Sequence, residues 1–63
     1  MKRISLETAV TMGIKLVYLT EYAREVFVPY TIGAKSEDGL TYSLIAENGT
    51  SWRYYWSQEV YYE

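Results

Sequence analysis

The spacing of the apolar residues divides the chain into a short helical start and a β-rich remainder. Leu6, Ala9 and Val10 recur at the spacing of one helix face. Ser5 stands where a side chain can cap the start of a helix, and Gly13 tolerates the left-handed conformation that ends many helices. The pattern predicts one helix of at most about three turns, which is marginal alone and needs a sheet to lie on.

Five segments after this helix have the composition of β-strands. Asp38-Gly39 and Asn48-Gly49 are typical of tight hairpin turns. Between them, every second side chain is apolar or aromatic, which places Tyr42 and Leu44 on one face of a strand. The predicted strands are residues 15–19, 24–31, 40–46, 51–56 and 60–62.

The second predicted strand contains Pro29, which has no amide hydrogen to donate to a neighbouring strand. We therefore expect that strand to be at an edge of the sheet, or to be bent or bulged at Pro29. One helix followed by about five short antiparallel strands predicts a mostly β protein folded as a small barrel. No crossover helix is available for a parallel sheet, so residues 1–63 are interpreted as one single domain.

The composition argues against enzyme chemistry. The 63 residues contain no cysteine and no histidine, so thiolate and imidazole ligands and the usual general base are missing. Glu37 and Asp38 could bind magnesium, but solvated turn charges explain them better. We expect a binding module with no catalytic residue, no cofactor and no metal ion.

The charge balance is mildly acidic. Six Lys and Arg against eight Asp and Glu give a net charge of -2, which by itself indicates neither a nucleic-acid protein nor a DNA mimic. Nothing in the chain resembles a signal peptide or a membrane-spanning segment. We therefore expect a cytoplasmic protein without membrane contact, in a bacterial host cell if a phage encodes it.

The order of these signals resembles the WYL domain, a small Sm/SH3-like β-barrel. The helix, the glycine turn and a strand are in LETAVTMGIKLVYL, and REVFVPY adds Arg24 and Pro29. DGLTYSLIAEN lies where the strand that names the family belongs, but its triplet reads Tyr-Ser-Leu. RYYWSQEV then supplies Arg53, Tyr55 and Val60. The chain is interpreted as a stand-alone, divergent member with an SH3-like barrel.

The resemblance implies a function in recognition. WYL domains are regarded as ligand-sensing or nucleic-acid-binding modules, several of them tied to phage defence or CRISPR control. It implies that this chain binds a nucleotide or a short single-stranded nucleic acid, as a regulator or an anti-defence protein. We expect Arg24 and Arg53 to contact phosphate and Tyr42 and Tyr55 to stack on bases.

Residues 51–56 carry the local chemistry for that role. Alternation puts Trp52, Tyr54 and Trp56 on one face of the strand and Arg53 with Tyr55 on the other, so one set lines the core. If Arg53 and Tyr55 are displayed, they combine base stacking with phosphate pairing. In the alternative, Tyr55 packs inward and the stem of Arg53 only covers apolar surface.

Two further interpretations remain open. The chain could be a small phage-type inhibitor or adaptor that contacts a protein partner through surface aromatic residues, which suits its acidic balance. The aromatic surplus also suggests a homo-oligomer, namely a dimer. The last segment, EVYYE, could pair with its own copy, add a strand to a partner or complete the barrel.

Other basic residues could add phosphate contacts. Lys35 and Lys15 are candidates, together with Lys2 and Arg3. Lys2 and Arg3 are better explained as a frayed, solubilising terminus.

Overall fold

The computed structural model describes residues 1–21, 23 and 25–63; Tyr22 and Arg24 lie outside the described residues. Its strands form one antiparallel sheet in the order β1-β6-β2-β3-β4-β5. The elements are β1 (Lys2–Ser5), α1 (Leu6–Thr11), β2 (Leu16–Glu21), β3 (Val26–Lys35), β4 (Thr41–Ala46), β5 (Ser51–Tyr55) and β6 (Glu59–Tyr62).

The mostly β fold with one short N-terminal helix is confirmed, but the sheet is not closed into a barrel. It is open, with β1 at one edge and β5 at the other. The N-terminal strand explains the difference, because β1 takes the free side of β6. In the described part of the chain, no helix is long and apolar enough to span a membrane.

The helix has the predicted ends. The Ser5 side chain accepts the backbone N–H of Thr8 at 3.2 Å, which satisfies one of the unpaired donors of the first turn. At the other end, Gly13 has a φ of +79°, its N–H donates to Val10 and the N–H of Ile14 donates to Ala9. This pair of bonds is the Schellman motif, which uses a left-handed glycine to satisfy the last carbonyls.

The strand β1 was not expected from the sequence. Lys2 and Arg3, predicted to fray, instead pair with Tyr62 and Tyr61 of β6. The reason is a long-range contact, because the strand places Ile4 opposite Val60, which is fully buried.

The C-terminal segment lies in the interior of the sheet. On one side β6 pairs with β1, and on the other side Tyr61 pairs with Tyr18 of β2. Of the roles open to EVYYE, completing the protein's own sheet is therefore the one observed. β6 leaves no edge on which a second chain could pair.

The core lies between the sheet and the helix. It is built from alternate positions of the strands, as the pattern of residues 40–46 predicts, and the helix adds two side chains. Its members are Leu6, Ala9, Val17, Leu19, Tyr30, Tyr42, Leu44 and Val60.

Pro29 lies inside the sheet, because β3 has neighbours on both sides. Ile32 N–H donates to Lys15 across the β2–β3 ladder, and hydrogen-bonded pairs alternate along a ladder. The nitrogen of Pro29 must then point towards β4. Since β4 ends at Ala46, opposite Tyr30, no strand carbonyl faces Pro29. Its missing N–H therefore removes no hydrogen bond from the β3–β4 ladder. The irregularity lies elsewhere, between Ile32 and Lys35.

The two hairpin turns are confirmed. Gly39 and Gly49 have φ values of +76° and +88°, which side chains with a Cβ rarely adopt. Asn48 Oδ1 accepts the N–H of Thr50 at 2.9 Å and fixes the second turn.

Neighbouring residues of β4 test the assignment of the two sheet faces. Leu44 is fully buried, whereas Ile45 is exposed on the opposite face. We expect Leu44→Ala to lower the free energy of unfolding by about 2–5 kcal/mol and Ile45→Ala by no more than about 1 kcal/mol. Urea denaturation of both variants measures the difference, and equal losses would contradict the assignment.

Candidate functional site

The edge strand β5 carries its side chains on two faces, as its sequence predicts. Arg53 is opposite Ser43 and Tyr55 is opposite Thr41, on the face of the sheet turned away from the core. The even-numbered residues share the core face, since Trp52 is opposite the buried Leu44.

Most of the rings of this strand are displayed regardless of face. Tyr55 is 66% exposed and Trp52 is 53% exposed, as is 45% of Trp56 directly after the strand, whereas Tyr54 is half-buried against the core. Arg53 is also exposed. The reason is position, because an edge strand has a neighbour on one side only. The alternative in which Tyr55 packs inward is therefore wrong.

We refer to Trp52, Arg53, Tyr55 and Trp56 as the β5 surface. Its arginine is close enough to Asp38 to help lower the pKa of that carboxyl group. The larger causes are the hydroxyl of Ser36, which donates to Asp38 at 2.6 Å, and the N–H of Leu40. In the described part of the chain, the ion pair found is Arg3–Glu59, so no carboxylate holds the guanidinium of Arg53.

Tyr42 does not belong to this surface. It is 4% exposed, shares the core face with Leu44, and has the Lys35 ammonium 5.7 Å from its ring centre. A ring without an open face cannot receive a base, so the expected stacking role of Tyr42 is withdrawn. Arg24, the other expected phosphate contact, lies outside the described residues.

The remaining basic residues are spread over the molecule. Lys2 and Arg3 lie on β1, at the edge of the sheet opposite β5. Lys15 lines a shallow depression of about 200 Å³ between the helix and β3. Lys35 ends β3 beside Tyr42. Lys2, Arg3 and Lys15 therefore do not form one basic patch with Arg53, whereas the Lys35 side chain reaches the turn at Gly39, next to Asp38.

A cleft of about 320 Å³ lies between the end of β2, Tyr54 of β5 and the start of β6. Leu19, Thr20, Glu21, Tyr54, Gln58 and Glu59 line it. The carboxylate of Glu21 would repel a phosphate group, and that of Glu59 is already paired with Arg3, so the cleft does not suit the expected ligand.

The acidic turn has a structural explanation. Asp38 accepts from the Ser36 hydroxyl and from the Leu40 backbone, so its carboxylate holds the turn between β3 and β4. In the part of the chain that the structure describes, no three acidic side chains gather into a group able to hold a metal ion.

Comparison with protein-family models, curated proteins and solved structures finds no match.

The sequence pattern predicts a ligand contact for Arg53 and Tyr55 but no specific role for Trp52 or Trp56. These two rings are exposed because β5 is an edge strand, and its edge position depends on the order of all six strands. The strand's own alternation only groups them with Tyr54.

Tyr30, whose hydroxyl group bonds to Glu21 of this cleft, provides a test of a partly buried polar contact. Its pKa is raised above the usual value, first by burial and then by Tyr54 and by Glu21, whose carboxylate accepts from the Tyr30 hydroxyl at 3.4 Å. Because the pKa of Tyr30 is higher in the folded than in the unfolded state, its hydroxyl group keeps its proton to a higher pH in the folded protein. This contribution to stability is complete below about pH 10 and is lost as the pH rises further.

We expect the free energy of unfolding to fall more steeply in the wild type than in Tyr30→Phe between about pH 8 and about pH 11. Urea denaturation at both pH values measures it. Tyr55→Phe controls for the loss of a surface hydroxyl group. Parallel losses in the wild type and Tyr30→Phe would show that Tyr30 does not contribute.

Proposed function

We propose that this protein is a non-catalytic binding module that recognises a nucleotide or a short single-stranded nucleic acid on the β5 surface. The observation that carries the proposal is the display of Arg53 and Tyr55 side by side on one face of an edge strand. This pair offers a cation and an open ring to the same ligand.

The guanidinium of Arg53 and the ring of Tyr55 suit the two parts of a nucleotide, the phosphate group and the base. A guanidinium can make two parallel hydrogen bonds to a phosphate group. An open aromatic ring can stack on any base, which contributes about 1–3 kcal/mol per base. Trp52, on the other face of the strand, and Trp56, which directly follows β5, add two further exposed rings.

The electrostatics favour a short ligand. Arg53 is the cation of the β5 surface, Asp38 is close to it, and the chain has a net charge of -2. A long polyanion would meet more repulsion than attraction, whereas a mononucleotide or a few nucleotides need one phosphate contact. The free energy of binding then comes mainly from stacking.

The resemblance to the WYL domain supports the same class of ligand. It rests on the order of the helix, Pro29, Arg53 and Tyr55 along the chain, and it includes Arg24. Under this proposal the protein acts as a regulator or as an anti-defence protein, and binding rather than chemistry transmits its signal.

Titration with a fluorescent oligothymidylate of about eight nucleotides tests the proposal. We expect log K to fall with log salt concentration with a slope of about -0.7, because one phosphate contact releases about that many counterions from a single strand. Arg53→Ala should reduce both the affinity and this slope, and Tyr55→Ala should lose about 1–3 kcal/mol of binding free energy.

Arg3→Ala is the matched control, because it removes an arginine from the opposite edge of the sheet. It should leave the affinity within about twofold. No binding at low salt by a folded protein, or equal effects of the two arginine substitutions, would refute the proposal.

A protein partner is the second candidate function. Leu40, which is hydrogen-bonded to Trp56, is exposed, and it joins Trp52 and Trp56 as exposed apolar surface. Exposed tryptophan is typical of the centres of protein interfaces. A small phage-type inhibitor or adaptor would use this surface to contact its target.

Capture experiments with and without nuclease separate the two functions. A stoichiometric partner that survives nuclease, is lost with Trp56→Ala and is retained with Arg53→Ala would favour the protein partner. Recovery of oligonucleotide only would favour the first proposal.

A further inference from the structure

The ladder between β2 and β6 is limited to a single pair. Tyr18 is opposite Tyr61, and among the described residues these two strands pair at no other position. The gap on one side of this pair is the cleft lined by Glu21 and Tyr54. The gap on the other side lies between the start of β2 and the end of β6, and it forms a pocket of about 260 Å³. This pocket occupies the space in which a longer ladder would bring the two strands together.

The walls of this pocket are mostly apolar and include two tyrosine rings. Ile14 precedes β2, Leu16 begins it and Tyr18 lies two residues further along. Tyr62 ends β6, and Glu63 follows it. Leu16 is 49% exposed, so the pocket is open to solvent. We refer to the space between these five residues as the β2–β6 pocket.

One carboxylate is held at the wall of the β2–β6 pocket. The hydroxyl group of Tyr18 donates to Glu63 Oε1 at 3.1 Å. This hydrogen bond raises the pKa of Tyr18, and so do burial and the charges of Glu63 and Glu47. In the part of the chain that the structure describes, the ion pair found joins Arg3 to Glu59, so no cation is paired with Glu63. The pocket is therefore negatively charged.

A cation of the protein already lies beside one ring of the pocket. The Lys2 ammonium is 6.0 Å from the centre of the Tyr62 ring, which is about the largest distance at which a ring attracts a cation. Lys2 is exposed and does not line the pocket, so water and salt screen its charge. The ring of Tyr62 is thus accessible to a positive charge, while the Lys2 ammonium stays outside the pocket.

We propose that the β2–β6 pocket binds a quaternary ammonium group, such as the head group of choline or of a trimethylated lysine side chain. The rings of Tyr18 and Tyr62 attract the cation, Leu16 contacts its methyl groups and Glu63 balances its charge. The inference is independent of the proposed nucleotide site, because β3 and β4 separate β5 from this pocket.

The apolar walls favour a quaternary over a primary ammonium group. A primary ammonium is strongly hydrated, and its three N–H donors need acceptors when they leave water. A quaternary ammonium has no N–H, and its methyl groups gain free energy when apolar side chains cover them. The walls of the pocket are formed mainly by Ile14, Leu16 and the two rings, with Glu63 as the one charged side chain.

The size of the pocket fits a head group and not a larger ligand. Its volume of about 260 Å³ is below the range of about 300–1,000 Å³ that is typical of sites for drug-sized molecules. A group of a few heavy atoms in an open pocket binds weakly, so we expect a dissociation constant of about 1–10 mM for choline. The charge of Glu63 makes the same pocket unsuitable for a phosphate group.

NMR titration with choline chloride at constant ionic strength tests the proposal. We expect saturable shifts of the ring signals of Tyr18 and Tyr62. The control ligand is the neutral isostere of choline, in which a carbon atom replaces the nitrogen. It has the same shape without the charge, and it should bind at least about fivefold more weakly.

Two charge substitutions test the role of Glu63. Glu63→Gln keeps an oxygen that can accept from Tyr18 but removes the charge, and it should weaken choline binding by about two- to fivefold. Glu25→Gln is the matched control, because it removes the same charge from the segment between β2 and β3, at the other end of β2. It should leave the affinity unchanged. Lys2→Gln removes a like charge and should strengthen binding.

A second pair of variants tests the ring of Tyr62. Tyr62→Phe keeps an aromatic face and should bind choline as the wild type does. Tyr62→Leu keeps an apolar side chain without the ring, and it should weaken binding by about two- to fivefold. Circular dichroism of each variant is the control for folding.

Two ligands distinguish a free small molecule from a group carried by a protein. A short peptide with one trimethylated lysine is titrated beside choline, and the same peptide with unmodified lysine is its control. Peptide binding at least about tenfold tighter than choline binding would assign the pocket to a protein-borne group. Equal affinities would assign it to a free small cation.

Three results would overturn the proposal. They are unchanged tyrosine signals of the folded protein at about 50 mM choline, equal affinities for choline and its neutral isostere, and equal effects of Glu63→Gln and Glu25→Gln. Failure of nucleotide binding is a separate result, because Arg53→Ala is expected to weaken oligonucleotide binding and to leave choline binding unchanged.

Discussion

The rest of the fold depends on the pairing of β6 with β1 on one side and β2 on the other. Val60 is buried there, opposite Ile4. The helix follows β1 directly, and its first N–H groups are held by the turn that precedes β6, since Leu6 donates to Gln58 and Glu7 to Trp56. Without β6, β1 would have no partner and the helix would lose its anchor.

The same interaction determines where the chain is exposed. Because β1 occupies the free side of β6, β1 forms one edge of the open sheet and β5 forms the other. Trp52 lies on the core face and is still more than half exposed, since no strand covers it. The exposed rings of β5 therefore follow from its edge position.

Much of the local structure could be predicted from neighbouring residues. The Ser5 cap, the Gly13 helix end and the turns at Gly39 and Gly49 depend on contacts within a few positions. The strand β1 could not be predicted in this way, because its four residues contain one apolar side chain, Ile4, whose partner Val60 is distant in sequence.

The candidate site was predictable only in part. Alternation along β5 placed Arg53 and Tyr55 together, and the structure has them together. Alternation along β4 groups Tyr42 with Leu44, which is buried, so the burial of Tyr42 could be predicted from the sequence. A buried ring cannot stack on a base. The exposure of Trp52 could not be predicted from the sequence, because it depends on the position of β5 within the whole sheet.

The β1–β6 pairing also brings the two ends of the described chain to one corner. Lys2 lies opposite Tyr62 in what the ladder makes a hydrogen-bonded pair, with Cα atoms about 5.5 Å apart. A linker of a few residues could join these ends, and new ends could be opened in the turn at Asn48. The domain is thus suited to circular permutation, or to insertion into a surface loop of another protein, without breaking a strand pair.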